Sequence, residues 1–591
     1  MAVSVVDAIA FGLDNDIAGM NPVGMNVYGA FDSVNAASSY ADFDAPLKKS
    51  LVLTRGTGSP TYTRATTAYV KDFEGVWREV PSGAARFEGA RVVQNILSTT
   101  SEDFSNGAVW NGGASATAVS GVSPEGTTAY KVVFGADTSY RLVNNGGAGV
   151  SGKLTVGSCW MRTVSGSTTI RFQSGGVLEI LTLDETWRRY SVAGTGTGEF
   201  YPCRNNAAGN SADIYIWRAQ AERLTGASNQ APGEYVSVGV LSAPYHGAGV
   251  DGVEYFDYEN PNTVTDNVVT EATGAAIPDA TLKGYFAEGQ RQNRCLYSQD
   301  FTNAAWVSGG GGIAVTPDTE VAPDGTTTAD TLTASGANGT LIQDLGVVAS
   351  AAKAGGLYLK RKTGTGNIDL TLDGGATWTT VAVTSSWLLL EKTQTLADED
   401  FGIRIVTSGD EVYAWQAQVE TAAFISSPIP TTTAAVTRNA DVLQYPSAGN
   451  ISNTAGSVYA EYYRQALAVD SLAPAILGDS TTGSSWLLIT GANYTATIYD
   501  GSAIGGANIA QPSASTLIKG ASRWSTATSK MAATFNGNTS IYEVAYDGNF
   551  GTPDGIRIGL RASGNNFYGT IRNVKIWKTA KTDAQLQALT T

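Results

Sequence analysis

Through most of the chain, apolar residues alternate with polar ones over short runs that stop at clusters of Gly, Asn or Ser. YKVVFGA, SYRLVNN, GKLTVGSCWMRTV, TTIRFQS, VLEILTL, WRRYSVAG and DIYIWRAQAERL follow one another in this way between Tyr130 and Leu224. Period-two alternation buries one face of a strand. Turn clusters at intervals of roughly eight to twelve residues join many such strands into a sandwich or jelly roll. LYLKRK, NIDLTL, SWLLLEKT and EVYAWQAQVE repeat the rhythm from Leu357 to Glu420. After Gly456 come GSVYAEYYRQ, SWLLITG, YTATIYDG, SKMAATFNG, SIYEVAYDG and GIRIGLRAS, joined by Asp-Gly and Asn-Gly hairpin signals. The chain closes on a short predicted helix with Thr582 as N-cap and Asp583, Gln585, Leu586 and Leu589 at helical spacing. Residues 1–50 show no such rhythm and hold three of the five methionines; such a segment is expected to become ordered only along a partner.

The middle of the chain contains the same text twice. Glu88 to Trp110 and Glu288 to Trp306 share E-G-x-R, an Asn followed by Leu and then Ser, D-F-[ST]-N and a tryptophan. Three further pairs keep the order at an offset of roughly 200 residues: SPEGTTAYKV with APDGTTTADTL, the Trp187 stretch with the Trp387 stretch, and IYIWRAQAE with VYAWQAQVE. A duplicated module follows, in which Trp217 and Trp415 and the Trp187 and Trp387 pair should occupy matching places as core residues.

Charge and composition narrow the function classes. Charged residues make up 15% of the chain, against 68 glycines, 12 tryptophans and 26 tyrosines, which disfavours exposed helix and fits an all-β protein. A net charge of −15 with no basic stripe argues against nucleic acid as a partner. No run of about 18 apolar residues exists, so no membrane insertion is expected. MAVSVVDAIAFGL lacks a basic start and is a poor signal peptide. Cys159, Cys203 and Cys295 have no metal or redox spacing and read as reduced, buried thiols.

Three stretches carry a resemblance to a known family. Y-T-R-A-T-T-A-Y-V at Tyr62 to Val70, G-V-W-R-E-V-P-S-G-A-A-R-F at Gly75 to Phe87, and Arg91, Asn95 and S-E-D-F-S-N at Ser101 to Asn106 together resemble a cassette of bacteriophage virion-surface proteins: tail fibres, tailspikes and head fibres. There it precedes jelly rolls of carbohydrate-binding-module type. The first copy departs from it by extra residues between Arg91 and Asn95 and before Glu102. PIPTTTAAVTRNADVLQYP resembles the cassette's tail, and G-T-I-R-N-V-K-I-W with T-D-A-Q-L-x-x-L resembles the end of a concanavalin-like, laminin-G type sandwich.

The expected architecture is therefore all-β and multidomain. It comprises an extended N-terminal virion-docking segment (1–50), a β lead-in (51–94), jelly-roll module 1 (95–240), a linker or second lead-in (241–287), jelly-roll module 2 (288–446) and a concanavalin-like sandwich (456–591). The resemblance implies a virion location, other virion proteins as partners of the N-terminal segment, a host cell-surface glycan as ligand and a homotrimer. A purely structural head fibre or decoration protein is the alternative, and a polysaccharide depolymerase a third.

Candidate chemistry is sparse. The single histidine, His246, has no nucleophile elbow beside it. The neighbouring acids Asp184 and Glu185, or Asp398, Glu399 and Asp400, read as surface turns, not as carboxylates facing across a glycosidic bond. No catalytic residue is assigned and no enzyme expected. For carbohydrate binding, aromatic faces and hydroxyl-bonding amides single out Asn493, Tyr494, Trp524 and Asn565 as exposed loop residues of the last domain. No cofactor is expected; calcium is the one cation the laminin-G resemblance admits, with Asp479, Asp500 and Asp547 as the acids on offer.

Overall fold

The computed structural model describes residues 40–48, 51, 53–72, 75–80, 82–89, 95–97, 103–124, 126–135, 139–144, 155–195, 200–206, 213–223, 232, 235, 283–464, 475–478, 485–490, 493–495, 509–510, 516–537, 541–546, 554–560 and 567–591. These form a multidomain all-β protein with a short helix at Asp583–Thr590. No helix among the described residues is long and apolar enough to cross a membrane.

The first module is a sandwich of two five-stranded sheets. One runs Arg188–Gly194, Thr155–Thr163, Ile214–Arg223, Ala129–Val133, Ser115–Val119; the other runs Val177–Leu183, Thr168–Ser174, Phe200–Asn205, Arg141–Asn144, Trp110–Asn111. Leu142, Cys159, Met161, Phe172, Cys203 and Ile216 fill the space between them. The second module curls one eight-stranded sheet onto itself. Its strands Gly339–Thr363 and Leu388–Ile405, 25 and 18 residues long, bend from one layer into the other. Register shifts between Asp344 and Val347 and between Val347 and Ala351 mark the bend. Cys159, Cys203 and Cys295 are free and buried, as expected, and burial pushes the Cys159 thiol up to about 12.

The duplication is exact in its hydrogen bonds. Asn95 donates from Nδ2 to the carbonyl of Ala219 (3.0 Å) and accepts at Oδ1 from the amides of Leu97 (3.3 Å) and Ala221 (3.2 Å). Asn293 repeats this with Ala417 (3.0 Å), Cys295 (3.0 Å) and Val419 (3.1 Å). A buried amide satisfying three backbone groups cannot be exchanged for an apolar residue at little cost, which accounts for an asparagine in both copies. Trp187 and Trp387 donate to Val122 (3.1 Å) and Val321 (2.9 Å), and Arg218 and Gln416 share a left-handed φ of 50° and 53° one residue after Trp217 and Trp415. The tryptophans occupy matching places, but on the sheet face opposite the main core. There Trp160, Trp187 and Trp217 form one cluster, and Tyr358, Trp387 and Trp415 its counterpart.

The terminal sandwich differs from the expected single run of chain. Its first sheet runs Tyr542–Ala545, Lys530–Phe535, Leu517–Ser525, Ala455–Arg464, Gly569–Trp577, Gly284–Ala287, Phe87–Glu88, with Phe43–Ala45 also paired to Gly569–Trp577. Its second runs Thr61–Thr63, Val442–Tyr445, Ile556–Ile558, Ala475–Gly478, Ser485–Thr490, Asn493–Thr495, Ile509–Ala510. Strands from the lead-in, from the link between modules and from the end of module 2 thus belong to the last domain. Both modules are excursions from one sandwich. The docking segment also ends earlier than expected: Phe43, Ala45 and Leu47 are fully buried in that core, because Phe43 pairs with Ile576 and packs edge-on against Tyr445 at 5.2 Å. The end of the chain is as expected, with Thr582 capping the helix and Leu586 buried against Tyr459, Ala521 and Trp577.

Where the excursions leave and return, six charged side chains are buried together. Arg86 bonds Glu288 (2.6 Å) and Asp441; Arg64 bonds Asp441 (2.9 Å); Arg438 bonds Glu288 (2.9 Å). Glu420 is tied in through Ser426 (2.7 Å), which Arg438 also bonds (3.1 Å). The three buried arginines match the three buried carboxylates, and the part-exposed Arg291 also reaches Glu420 at 3.4 Å; pairing of this kind is the condition under which buried charge is tolerated. Burial alone would raise the Asp441 carboxyl, but Arg86 and Arg64 hold it at about 2. The lead-in hairpin Ala68–Lys71 and Trp77–Val80 lies over the aromatic cluster of module 2, with Trp77 Nε1 donating to the Tyr358 hydroxyl at 2.9 Å.

Candidate functional site

Of the four residues singled out from the sequence, Trp524 is the one whose side chain the structure describes. Trp524 is a correction: it is fully buried in the strand Leu517–Ser525, its Nε1 donating to the Ser452 carbonyl at 2.9 Å. The indole fills the space that Gly456 leaves open, where a Cβ would sit 2.2 Å from Trp524 Cζ2. Asn493 and Tyr494 lie in the strand Asn493–Thr495, their backbones paired with Thr490 and Ile489 on one side and Ala510 and Ile509 on the other; their side chains are outside the described part. Asn565, His246, Asp479, Asp500 and Asp547 lie outside the described residues.

The acids near residue 400 also differ from the reading. They stand in the strand Leu388–Ile405, not in a turn, so alternate side chains face opposite ways. Glu399 is fully buried against Arg294 (2.5 Å) and Lys353. Asp398 and Asp400 face out beside Asp344, the three placing carboxylate oxygens within 4.8 Å of one another. Burial and the charges of Asp344 and Asp398 raise the Asp400 carboxyl above its usual range. These are oxygen donors of the kind hard cations take, but an exposed acidic trio does not by itself make a cation site. Asp184 caps its own turn by accepting from the amide of Thr186 at 2.8 Å.

The polar and aromatic groups that do converge lie on the outer face of module 2. Ile368 and Leu370 point into the core, so Asp369 and Thr371 lie on the other face of the strand, where neighbouring groups cover both of them. Register places Thr380, Asp369, Arg404 and Thr340 side by side across four strands. Cross-strand partners share a face and touch. Asp369 accepts from Arg404 Nη2 (2.5 Å) and Nε (2.9 Å) and from the Thr380 hydroxyl (2.6 Å). The Arg404 guanidinium lies 4.5 Å from the centre of the part-exposed Trp378 ring. In the next row Thr371 stands opposite Gly402 and Gly402 opposite Ile342, whose side chain fills the space over the glycine: a Cβ there would be 2.6 Å from Ile342 Cγ1.

Trp378 is held by a constructed loop. In Asp373-Gly-Gly-Ala-Thr-Trp, Asp373 accepts from the Thr377 amide (2.8 Å) and hydroxyl (2.5 Å), Gln394 (2.9 Å) and Thr371 (2.8 Å). Against the effect of burial, these bonds hold its carboxyl well below the usual range. Gly375, at φ 94°, lies directly against the indole: a Cβ there would be 2.9 Å from Trp378 Cζ2. The arrangement can stack an apolar ring edge beside Trp378 and offer Arg404, Thr380 and Thr340 to hydroxyl groups, with the buried Asp369 beneath them holding Arg404 and Thr380 in place. The D-G-G-A-T-W text carries the Gly-Gly signal of a turn, but Asp369 and Arg404, 35 residues apart, become neighbours only through strand register.

No family model matches the chain, and no curated protein sequence matches it. Among solved structures it is similar to the CBM40 domain of the Ruminococcus gnavus IT-sialidase bound to α2,3-sialyllactose, with 15% identity over 23% of this chain and 83% of that one and a TM-score of 0.19. The tandem CBM22 domains of Paenibacillus barcinonensis Xyn10C match at 9% identity over 56% of this chain and 99% of that one, TM-score 0.18. Trypanosoma rangeli sialidase matches at 8% identity over 93% and 97%, TM-score 0.20. Likenesses this remote assign neither a family nor a ligand.

Proposed function

We propose that this chain is a bacteriophage virion-surface protein of fibre or spike type that binds a host-surface glycan without cleaving it. The virion assignment rests on the cassette resemblance of Tyr62 to Asn106. The glycan assignment rests on one observation, the row Thr380, Asp369, Arg404 and Thr340 beside a Trp378 clamped by its own loop. Residues 1–39 would attach the protein to the particle, and assembly as a homotrimer would multiply weak sugar contacts. Calcium is proposed only as an accessory ion.

The test is a glycan array with the whole chain, followed by titration of any hit. Trp378→Ala should weaken binding about tenfold or more, as expected for loss of stacking, with an unchanged melting transition, and Arg404→Gln should weaken it as much while also lowering the melting temperature, because Asp369 would be left buried without its cation. No reducing sugar should be released. Equal binding by both variants would remove this face from the proposal. A purely structural head fibre or decoration role has its own support, since the buried ionic junction of Arg64, Arg86 and Arg438 locks three parts of the chain into a brace. A chain that incorporates into particles and binds no glycan would favour it.

A further inference from the structure

We infer that the strand Val177–Leu183 at the edge of module 1 pairs with the same strand of a second copy of this chain, antiparallel and centred on Ile180. The strand ends its sheet, and among the described residues Thr168–Ser174 is its one hydrogen-bonded neighbour. Across its seven residues the register runs from Ser174 and Val177 to Thr168 and Leu183 without a shift. V-L-E-I-L-T-L holds one charge, and Val177, Leu178 and Ile180 are 40%, 42% and 60% exposed. A regular, apolar edge of about 23 Å is a template for another strand, and proteins ordinarily blunt such edges with charge, proline, a bulge or shortness.

Module 2 shows that blunting. At the end of its corresponding layer stands Thr379–Val381, three residues of which two are threonines. Its other terminal strand, Ile313–Glu320, carries Pro317, Asp318 and Glu320 and a register shift between Thr316 and Glu320. Ile180 stands opposite Arg171 as Thr380 stands opposite Asp369, so module 1 presents an apolar side chain where module 2 presents a hydroxyl.

The turn before the strand decides which backbone groups face outward. Gly175 and Gly176 have φ of 53° and 77°, the two-residue hairpin turn that closes on a hydrogen-bonded pair, here Ser174 and Val177. Bonding alternates along an antiparallel ladder. Val177, Glu179, Leu181 and Leu183 therefore bond to Thr168–Ser174, and the amides and carbonyls of Leu178, Ile180 and Thr182 point away from the sheet. The Thr182 carbonyl accepts from the Tyr190 hydroxyl at 3.5 Å. A second copy centred on Ile180 is the register that uses all three positions on both strands: Ile180 with Ile180, and Leu178 with Thr182 in each direction. Glu179 then stands opposite Leu181 and not opposite the other Glu179. Copies of a chain with a net charge of −15 repel one another where acids are dense, and this edge brings only one carboxylate from each. The two sheets would join into one, with five strands from each copy. A two-fold contact does not close a trimer; it links a chain of one trimer to a chain of the next.

The experiment is disulfide mapping on the full chain. Ile180→Cys, treated with a small disulfide oxidant, should give covalent chain pairs on denaturing electrophoresis, because Cα atoms about 5.5 Å apart lie within disulfide reach. Leu178→Cys alone should give none, its two copies being about 13 Å apart along the strands, whereas Leu178→Cys mixed with Thr182→Cys should. Cys159, Cys203 and Cys295 are buried, and the unsubstituted chain serves as the control. In sedimentation that chain should show a heavier species that grows with concentration, and Ile180→Lys should remove it with unchanged melting. No pairing at Ile180→Cys, equal pairing of Leu178→Cys with itself, or association that survives Ile180→Lys would each overturn the inference. So would a chain that never self-associates but takes up an extended apolar peptide at this edge, which would make the occupant a foreign strand. None of these results bears on the glycan reading.

Discussion

Trp524 shows why a residue's surroundings in sequence mislead about its exposure. The inward positions of its strand are Ile518, Gly520, Ser522 and Trp524, and two of them are small because the rings of Phe535 and Tyr462 occupy the space over Gly520. Hydrophobic alternation is therefore missing from the text although the strand is central, paired on both sides. The consequence is a prediction opposite to that for a ligand residue. Trp524→Ala should cost roughly 3 to 5 kcal/mol, the range for deleting a buried tryptophan, and appear as a lower melting temperature with or without ligand. Trp378→Ala, on a part-exposed ring, should do the reverse and leave melting alone while binding fails. A Trp524 variant that melts normally would mean the indole is not a core group.

At the level of elements, the repeat was legible and the junction was not. Asn95 and Asn293, the D-F-[ST]-N turns and the W-x-A-Q strands recur because each performs the same local task twice, and local tasks leave the same letters. Arg86, Glu288 and Asp441 sit in R-F-E-G, A-E-G-Q and N-A-D-V, ordinary lead-in text, and nothing local says that they meet. Their pairing is long-range: Arg86 and Asp441 are 355 residues apart. Its titration is a testable property of the junction. Asp441 has a usual carboxyl value of 3.8 and is held at about 2 in the folded state, and Glu288 is likewise held below its usual value by Arg438 and Arg86 in spite of burial. A carboxyl depressed on folding stabilises the fold fully above its unfolded value and loses that contribution as pH falls through its folded value. Melting temperature should therefore drop steeply between about pH 4 and pH 2. Glu420, raised by burial, titrates in the opposite sense at higher pH and does not mask the drop. Asp441→Asn should melt lower at neutral pH, since breaking a buried pair costs about 3 to 5 kcal/mol, and should flatten the acid dependence; an unchanged acid profile would place the acid sensitivity elsewhere.

For the whole molecule, the path of the chain decides which pieces can stand alone. The terminal sandwich takes strands from Phe43–Ala45, Thr61–Thr63, Phe87–Glu88, Gly284–Ala287 and Val442–Tyr445, so residues 456–591 by themselves would leave Gly569–Trp577 without two of its partners and Ile556–Ile558 without Val442–Tyr445. Exposed strand edges and an open core favour aggregation, and that fragment should be insoluble or unfolded when expressed. The same topology sets the limit of the N-terminal segment. Removing residues 2–39 leaves every described strand of the sandwich in the chain, so the truncated chain should keep its melting transition and its glycan binding while failing, on the virion reading, to incorporate into particles. Removing residues 2–47 also deletes Phe43, Ala45 and Leu47, all fully buried, together with the edge pairing to Val574, Lys575 and Ile576. Loss of one large buried side chain already costs about 3 to 5 kcal/mol, a large share of the 5 to 15 kcal/mol that holds a typical domain together. The longer deletion should therefore abolish cooperative unfolding followed by circular dichroism or calorimetry. If both truncations melt alike, the strand at Phe43–Ala45 contributes nothing to the sandwich and the boundary lies further along the chain.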